Sequence, residues 1–267
     1  PALEAKPRVR NQNGRTRLVA TAATILILLA AWTLASSLGW VPALFLPSPP
    51  AVAKAFWTVA TSGFVDATLL QHLAASLGRV FAALIASILV GVPIGFAIGL
   101  SPVGRGIFDP IIEFLRPLPP LAYLPLVIIW FGIGEASKIL VIAIAMLAPI
   151  VISTAVGVSS VSRDHLNAAR SLGGTRLQLL RPVVLPSSLG EILTGIRIAL
   201  GTGWTTLVAA ELVAASRGVG FMIQSAAQFL VTDVVIMGIV LIAAVAFALE
   251  AGIRVLQRWL VPWLGKS

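Results

Sequence analysis

The chain of 267 residues has no cysteine, one tyrosine, two histidines and only ten acidic side chains against nineteen lysines and arginines. Without cysteine, disulfides, thiolate catalysis and Cys-type zinc sites are excluded. The histidines, His72 and His165, stand far apart, so neither a metal site nor a catalytic triad has support. No nucleophile, base and oxyanion donor cluster together, and the sequence reads as non-enzymatic. Gly265-Lys266-Ser267 echoes the end of a phosphate-binding loop, but Leu260 occupies the place of its first glycine and no helix follows. The chain itself is not expected to bind ATP, and no cofactor is expected in it. Charge itself is scarce. Only 11% of residues are charged and 58% are hydrophobic, more apolar surface than one soluble core can hide. The net charge of +9 does not signal nucleic-acid binding, because the basic residues sit at the ends of apolar runs and form no patch interleaved with aromatics.

What is present is a series of membrane spans. Six are predicted, at about 18–38, 73–100, 107–131, 137–158, 191–214 and 233–256, since roughly 20 helical residues cross the hydrocarbon layer. An even number leaves both termini on one side. Lys6, Arg8, Arg10, Arg15 and Arg17 before the first span, and Arg254, Arg258 and Lys266 at the end, place both termini in the cytoplasm by the positive-inside rule. The first run is too long for a signal peptide and lacks a small-x-small exit, so it is expected to be retained. The organisation is a cytoplasmic basic arm (1–17), a first transmembrane helix and outer loop (18–45), and a membrane domain (46–267) with five further spans. The proline-punctuated stretch after residue 46 is expected to hold an interfacial helix on the outer face.

Several residues inside the spans call for a role. Gly91, Gly95 and Gly99 lie at four-residue intervals, the pattern of close helix packing in lipid. Arg116-Pro117-Leu118-Pro119-Pro120 interrupts the third span and predicts a broken or kinked helix, with Pro119 near a translocation path. Asp109, Glu113 and Arg116 are expected to form local helical ion pairs. In the fifth span Arg197, Trp204 and Glu211 are seven residues apart and share one helical face, which predicts that they line a pathway, a gate or a dimer interface, or that the charges snorkel from the helix ends.

Between the fourth and fifth spans runs NAARSLGGTRLQLLRPVVLP, from Asn167 to Pro186. Its small Ala168 and Ala169 permit close packing against another protein, Gly173 allows a left-handed turn, and Arg163, Arg170, Arg176 and Arg181 surround an apolar stripe. A juxtamembrane helix on anionic lipid has a similar look. The spacing Ala-Ala, three residues, Gly, nine residues, Val-Val-Leu-Pro resembles the EAA motif of permease subunits in ATP-binding-cassette importers. Asn167 stands where that motif carries Glu. From about Leu46 onward, LPSPPAV, LRPLPPLAYLPLVIIWFGIGEASKI, GIRIALGTGWTTLVAAEL and RGVGFMI resemble the sulfonate, nitrate and taurine branch of these permeases. GFVDATLLQHLAASLGR and SRGVGFMIQSAAQFL are most similar to its taurine importers. The resemblance implies an all-α type I importer permease fold with a cytoplasmic coupling helix, located in the bacterial inner membrane. It also implies a second copy of the chain, two cytoplasmic ATPase subunits, a periplasmic binding protein, and taurine or a related sulfonate as solute. Nitrate or another anion, or an ion-coupled secondary transporter for a small organic anion, are the competing readings.

Overall fold

The computed structural model describes residues 13–262 apart from 163, 165, 166, 168–170, 172 and 174. Most of the basic arm, together with His165, Ala168, Ala169 and Arg170, therefore lies outside the described residues. The helices are α1 (Asn13–Ser37), α2 (Pro49–Ser62), α3 (Leu69–Leu100), α4 (Pro102–Leu115), α5 (Pro120–Phe131), α6 (Glu135–Ser159), α7 (Arg176–Leu179), α8 (Leu185–Ala214), α9 (Val219–Gln228) and α10 (Thr232–Leu260). Among the described residues the only β pairing is an isolated bridge between Phe64 and Ala67.

Local chemistry sets the boundaries. Thr68 and Gln71 cap the start of α3 reciprocally: the Gln71 N–H donates to Thr68 Oγ1 at 3.3 Å, and the Thr68 N–H donates to Gln71 Oε1 at 2.9 Å. Ser101 separates α3 from α4, and its hydroxyl accepts from the N–H groups of Val103 and Gly104 at 3.2 and 3.4 Å. Gly132, at φ +77°, ends α5.

Helices α3 and α6 run parallel over most of their length. Arg79 meets Glu135, the Ser87 hydroxyl donates to the Ala143 carbonyl, and Gly91, Gly95 and Gly99 face Ile150, Thr154 and Val158. A Cβ at Gly95 would sit 2.8 Å from the Val151 carbonyl oxygen, and one at Gly99 would sit 2.7 Å from Val158 Cβ. The glycine spacing thus does what it predicts: it lets two membrane helices touch backbone to backbone.

Two parallel helices joined in sequence require a return crossing between them. That crossing is α4 plus α5, bent by 102°. Twelve residues of α5 rise only about 18 Å, too little for a layer of about 30 Å, so neither half crosses alone. Pro117, Pro119 and Pro120 have no N–H to donate, and the helix cannot continue through them. The third span expected at 107–131, broken or kinked, is the broken alternative and reaches back to Pro102, and Pro119 stands exposed at the break as the residue preceding α5. The expected ion pairs of this region reduce to Arg105 with Asp109 at 4.0 Å, while Glu113 and Arg116 form none among the described residues.

Five further helices have the length and hydropathy of spans: α1, α3, α6, α8 extended back to Leu180, and α10. Helix α8 is antiparallel to α6, with Gly195 against Ser153 and Gly157 against Ser188. Helix α10 is antiparallel to α8, since Trp204 bonds Ile242 and Thr194 bonds Gln257. Trp32 of α1 packs with Val52 and Met237 near the start of α10. The beginning of α1 and the end of α10 therefore lie at the same end as Ser101 and Ser160, and Glu135 lies at the opposite end.

Candidate functional site

The segment after α6 folds as its spacing suggests wherever it is described. Asn167 and Ser171 are helical and exposed, and the Ser171 hydroxyl donates to the Asn167 carbonyl at 3.0 Å. Gly173 takes φ +83°, and a Cβ there would meet nothing within 4 Å, so glycine is required by the turn and not by crowding. Thr175 and Gln178 cap α7 by mutual side-chain to backbone bonds, and Arg176 is the first residue of that helix. Pro182 removes a donor from the continuing helix, and the chain widens to i→i+5 bonding over Leu180–Val184 before α8 begins. Pro186 falls in the first turn of α8, where a missing N–H is tolerated.

Arg197, Trp204 and Glu211 share a face of α8 but not an environment. Arg197 and Trp204 line a groove of about 600 Å³ between α8 and α10, with Gly201, Thr205, Phe247 and Glu250. Trp204 is 3% exposed, and its indole N–H donates to the Ile242 carbonyl at 3.2 Å. It is both core and groove wall. Arg197 forms no hydrogen bond or ion pair among the described residues. Glu211 lies away from that groove and is enclosed; it neither snorkels nor shares the groove.

Around Glu211 is a buried polar network that spacing alone does not reveal. Arg79 of α3 donates from Nη1 to Glu211 Oε1 at 2.5 Å and to the Arg217 carbonyl at 2.7 Å. Through Nε and Nη2 it grips both carboxylate oxygens of Glu135 at 2.6 and 2.9 Å. Lys138 Nζ donates to Glu135 Oε1 at 2.7 Å. The Ser76 hydroxyl donates to Glu211 Oε1, while the Gly220 N–H donates to Oε2. The segment between α8 and α9 folds over the carboxylate so tightly that a Cβ at Gly218, held at φ +136°, would run into it. His72 extends the network: the Gly218 N–H donates to its Nδ1, and its Nε2 meets the Phe64 carbonyl at 3.0 Å. A ring that accepts at one nitrogen and donates at the other is a neutral imidazole. Two cations and two carboxylates balance, with Arg79, Lys138 and Glu211 almost entirely buried and Glu135 58% exposed.

Arg79, Glu135 and Lys138 are thus partners that the sequence reading passed over. One signal was available for Arg79, which is a charge within the second apolar run. Among the described residues no three His, Asp or Glu side chains are grouped as metal ligands.

Comparison with known proteins agrees with this architecture. The chain is 57% identical over 244 residues to the taurine transport system permease protein TauC of Escherichia coli, covering 91% of this chain and 89% of that protein. It is 40% identical to the putative aliphatic sulfonates transport permease protein SsuC of Escherichia coli, with 88% of each chain covered. It is 36% identical to the bicarbonate transport system permease protein CmpB of Synechococcus elongatus, covering 74% of this chain and 72% of that protein. Among solved structures, an inward-facing MetNI methionine ABC transporter superposes with a TM-score of 0.64 at 19% identity, covering 72% of this chain and 95% of that one. An amino acid ABC transporter superposes with a TM-score of 0.59 at 20% identity, covering 73% of this chain and 93% of that one. The fold is therefore that of a type I importer permease. Residues 88–266 match the model of the binding-protein-dependent transport system inner membrane component, and the chain belongs to that family.

Proposed function

We propose that this chain is the membrane-spanning subunit of an ATP-driven importer that carries taurine, or a closely related small sulfonate, from a periplasmic binding protein into the cytoplasm. The observation that carries the reading is the 57% identity to a taurine permease along 91% of the chain. In this reading two copies form the pathway, and two ATPase subunits, which hold ATP and Mg, bind the segment from Asn167 to Pro186. Asn167, Ala168, Ala169, Gly173, Arg176 and Pro186 form the coupling surface. The chain itself catalyses no reaction.

Charge distribution supports the orientation. Arg105, Arg176, Arg181, Arg254 and Arg258 belong to the Ser101 end, which the positive-inside rule places in the cytoplasm of a bacterial inner membrane. Asp66, Glu135 and Asp233 belong to the other end, where the binding protein docks. Closure of the ATPase pair on nucleotide pulls on the two coupling segments and turns the attached helices α6 and α8, opening the pathway outward; hydrolysis returns it inward. The test is uptake of labelled taurine into proteoliposomes with ATPase subunits and binding protein added or withheld. Uptake that needs ATP and both partners is expected, and solute movement by the permease alone would overturn the assignment.

A further inference from the structure

The groove between α8 and α10 is lined by an arginine, Arg197, without a polar partner among the described residues. An ionised side chain on a membrane-crossing helix needs a partner or water. Arg79, Lys138, Glu135 and Glu211 have theirs. Arg197 has none. It lies twelve residues into α8, about 18 Å along the axis from Leu185. Across the groove stands Glu250 of α10. The bonds from Trp204 to Ile242 and from Gln257 to Thr194 set the register of these antiparallel helices, and in that register Arg197 and Glu250 are level. They share the groove lining without forming an ion pair. Arg254 donates to Glu250 Oε1 at 3.2 Å, and Oε2 has no partner among the described residues.

We propose that this groove is a subsite for a small aminosulfonate, with Arg197 receiving the sulfonate and Glu250 the ammonium group. The proposal rests on the importer reading above and specifies where and how that solute is held. A guanidinium offers several N–H donors in a fixed plane to the sulfonate oxygens, and the free carboxylate oxygen accepts from the ammonium. The space between the charges is open, since a Cβ on Gly201 would find nothing within 4 Å. Trp204 and Phe247 supply apolar wall for the short hydrocarbon linker. A plain alkylsulfonate satisfies Arg197 but leaves Glu250 facing a methyl group, so Glu250 is the residue that discriminates between the two classes.

The experiment is binding of labelled taurine, and of ethanesulfonate as a competitor, to the complete permease–ATPase complex in nanodiscs without binding protein. This isolates the membrane subsite from selection upstream. The wild type is expected to favour taurine. Glu250→Gln should shrink the taurine-to-ethanesulfonate affinity ratio about tenfold while leaving ethanesulfonate binding in place, and Arg197→Gln should weaken both ligands about tenfold, with partial recovery in Arg197→Lys. A ratio unmoved by Glu250→Gln overturns the assignment. So does wild-type binding in Arg197→Gln, or loss of the dimer in that variant, which would mean that Arg197 pairs with the second copy. If the wild-type complex shows ATP-dependent taurine uptake but no binding in nanodiscs, the subsite fails and the importer reading stands. If ATP-dependent uptake itself is absent, the importer reading fails.

Discussion

Arg79 and Arg197 are both arginines inside membrane-crossing helices, and they are treated in opposite ways. Arg79 is 4% exposed and spends its donors on Glu135, Glu211 and the Arg217 carbonyl. Arg197 faces an open groove with no partner among the described residues. The first charge is part of the architecture, because it ties α3 to α6, to α8 and to the turn before α9. The second makes no polar contact that holds helices together among the described residues. A charge retained without a structural partner is free to interact with what passes by.

Stability measurements in detergent can break or sharpen this contrast. The largest effect is expected from Glu211→Ala, which removes one of the two carboxylates that balance the buried Arg79 and Lys138 and should cost about 3–5 kcal/mol, read as a large fall in the unfolding midpoint. Only a small shift would mean that the network is water-filled and not structural. Gly218→Ala introduces a methyl group against the same carboxylate at a positive φ, and a loss of about 1–3 kcal/mol is expected from the same assay. Gly173→Val lies outside both regions and serves as a reference. Its unfolding midpoint should move little, but the left-handed turn costs a β-branched residue about 1 kcal/mol or more, so the ratio of solute moved to ATP hydrolysed should drop. Fully coupled uptake in that variant would remove the turn from the coupling surface. The smallest stability change, within about 0.5 kcal/mol, is expected for Arg197→Gln, since no partner is left behind. A loss comparable to that of Glu211→Ala would erase the distinction between the two arginines.

Periodic features were legible in the sequence. The runs 73–100, 137–158, 191–214 and 233–256 fall within α3, α6, α8 and α10, and a helix, α2, is present after residue 46. Gly173 has its positive φ and Gly91, Gly95 and Gly99 their close neighbour, because glycine spacing reports backbone geometry directly. Tertiary partnership was not legible. Arg79 meets Glu211 across 132 residues of chain and Glu135 across 56, and no local pattern joins them. Helical arithmetic put Arg197, Trp204 and Glu211 on one face, which holds, but a face does not say what lies opposite at each height. Near Glu211 the segment before α9 closes in, whereas near Arg197 helix α10 stands off and leaves a groove. The prolines from 117 to 120 announced a break, but only the parallel course of α3 and α6 makes α4 and α5 a single crossing.

That parallel course has a mechanical consequence. Helices α3 and α6 are clamped at one end by the Arg79–Glu135 contact and interlocked toward the other by glycines whose neighbours leave no space for a Cβ. Slipping one helix by a single residue would place Phe96 or Leu100 where only hydrogen atoms now fit, so sliding is forbidden and the pair acts as one stiff beam. Its α6 half is 25 residues long, about 37 Å, and the segment bearing Asn167 hangs from its tip. Under the proposed coupling, a push delivered there would not be absorbed by shear along the beam and would reappear as tilt at the far end, near Glu135 and the turn around Gly218.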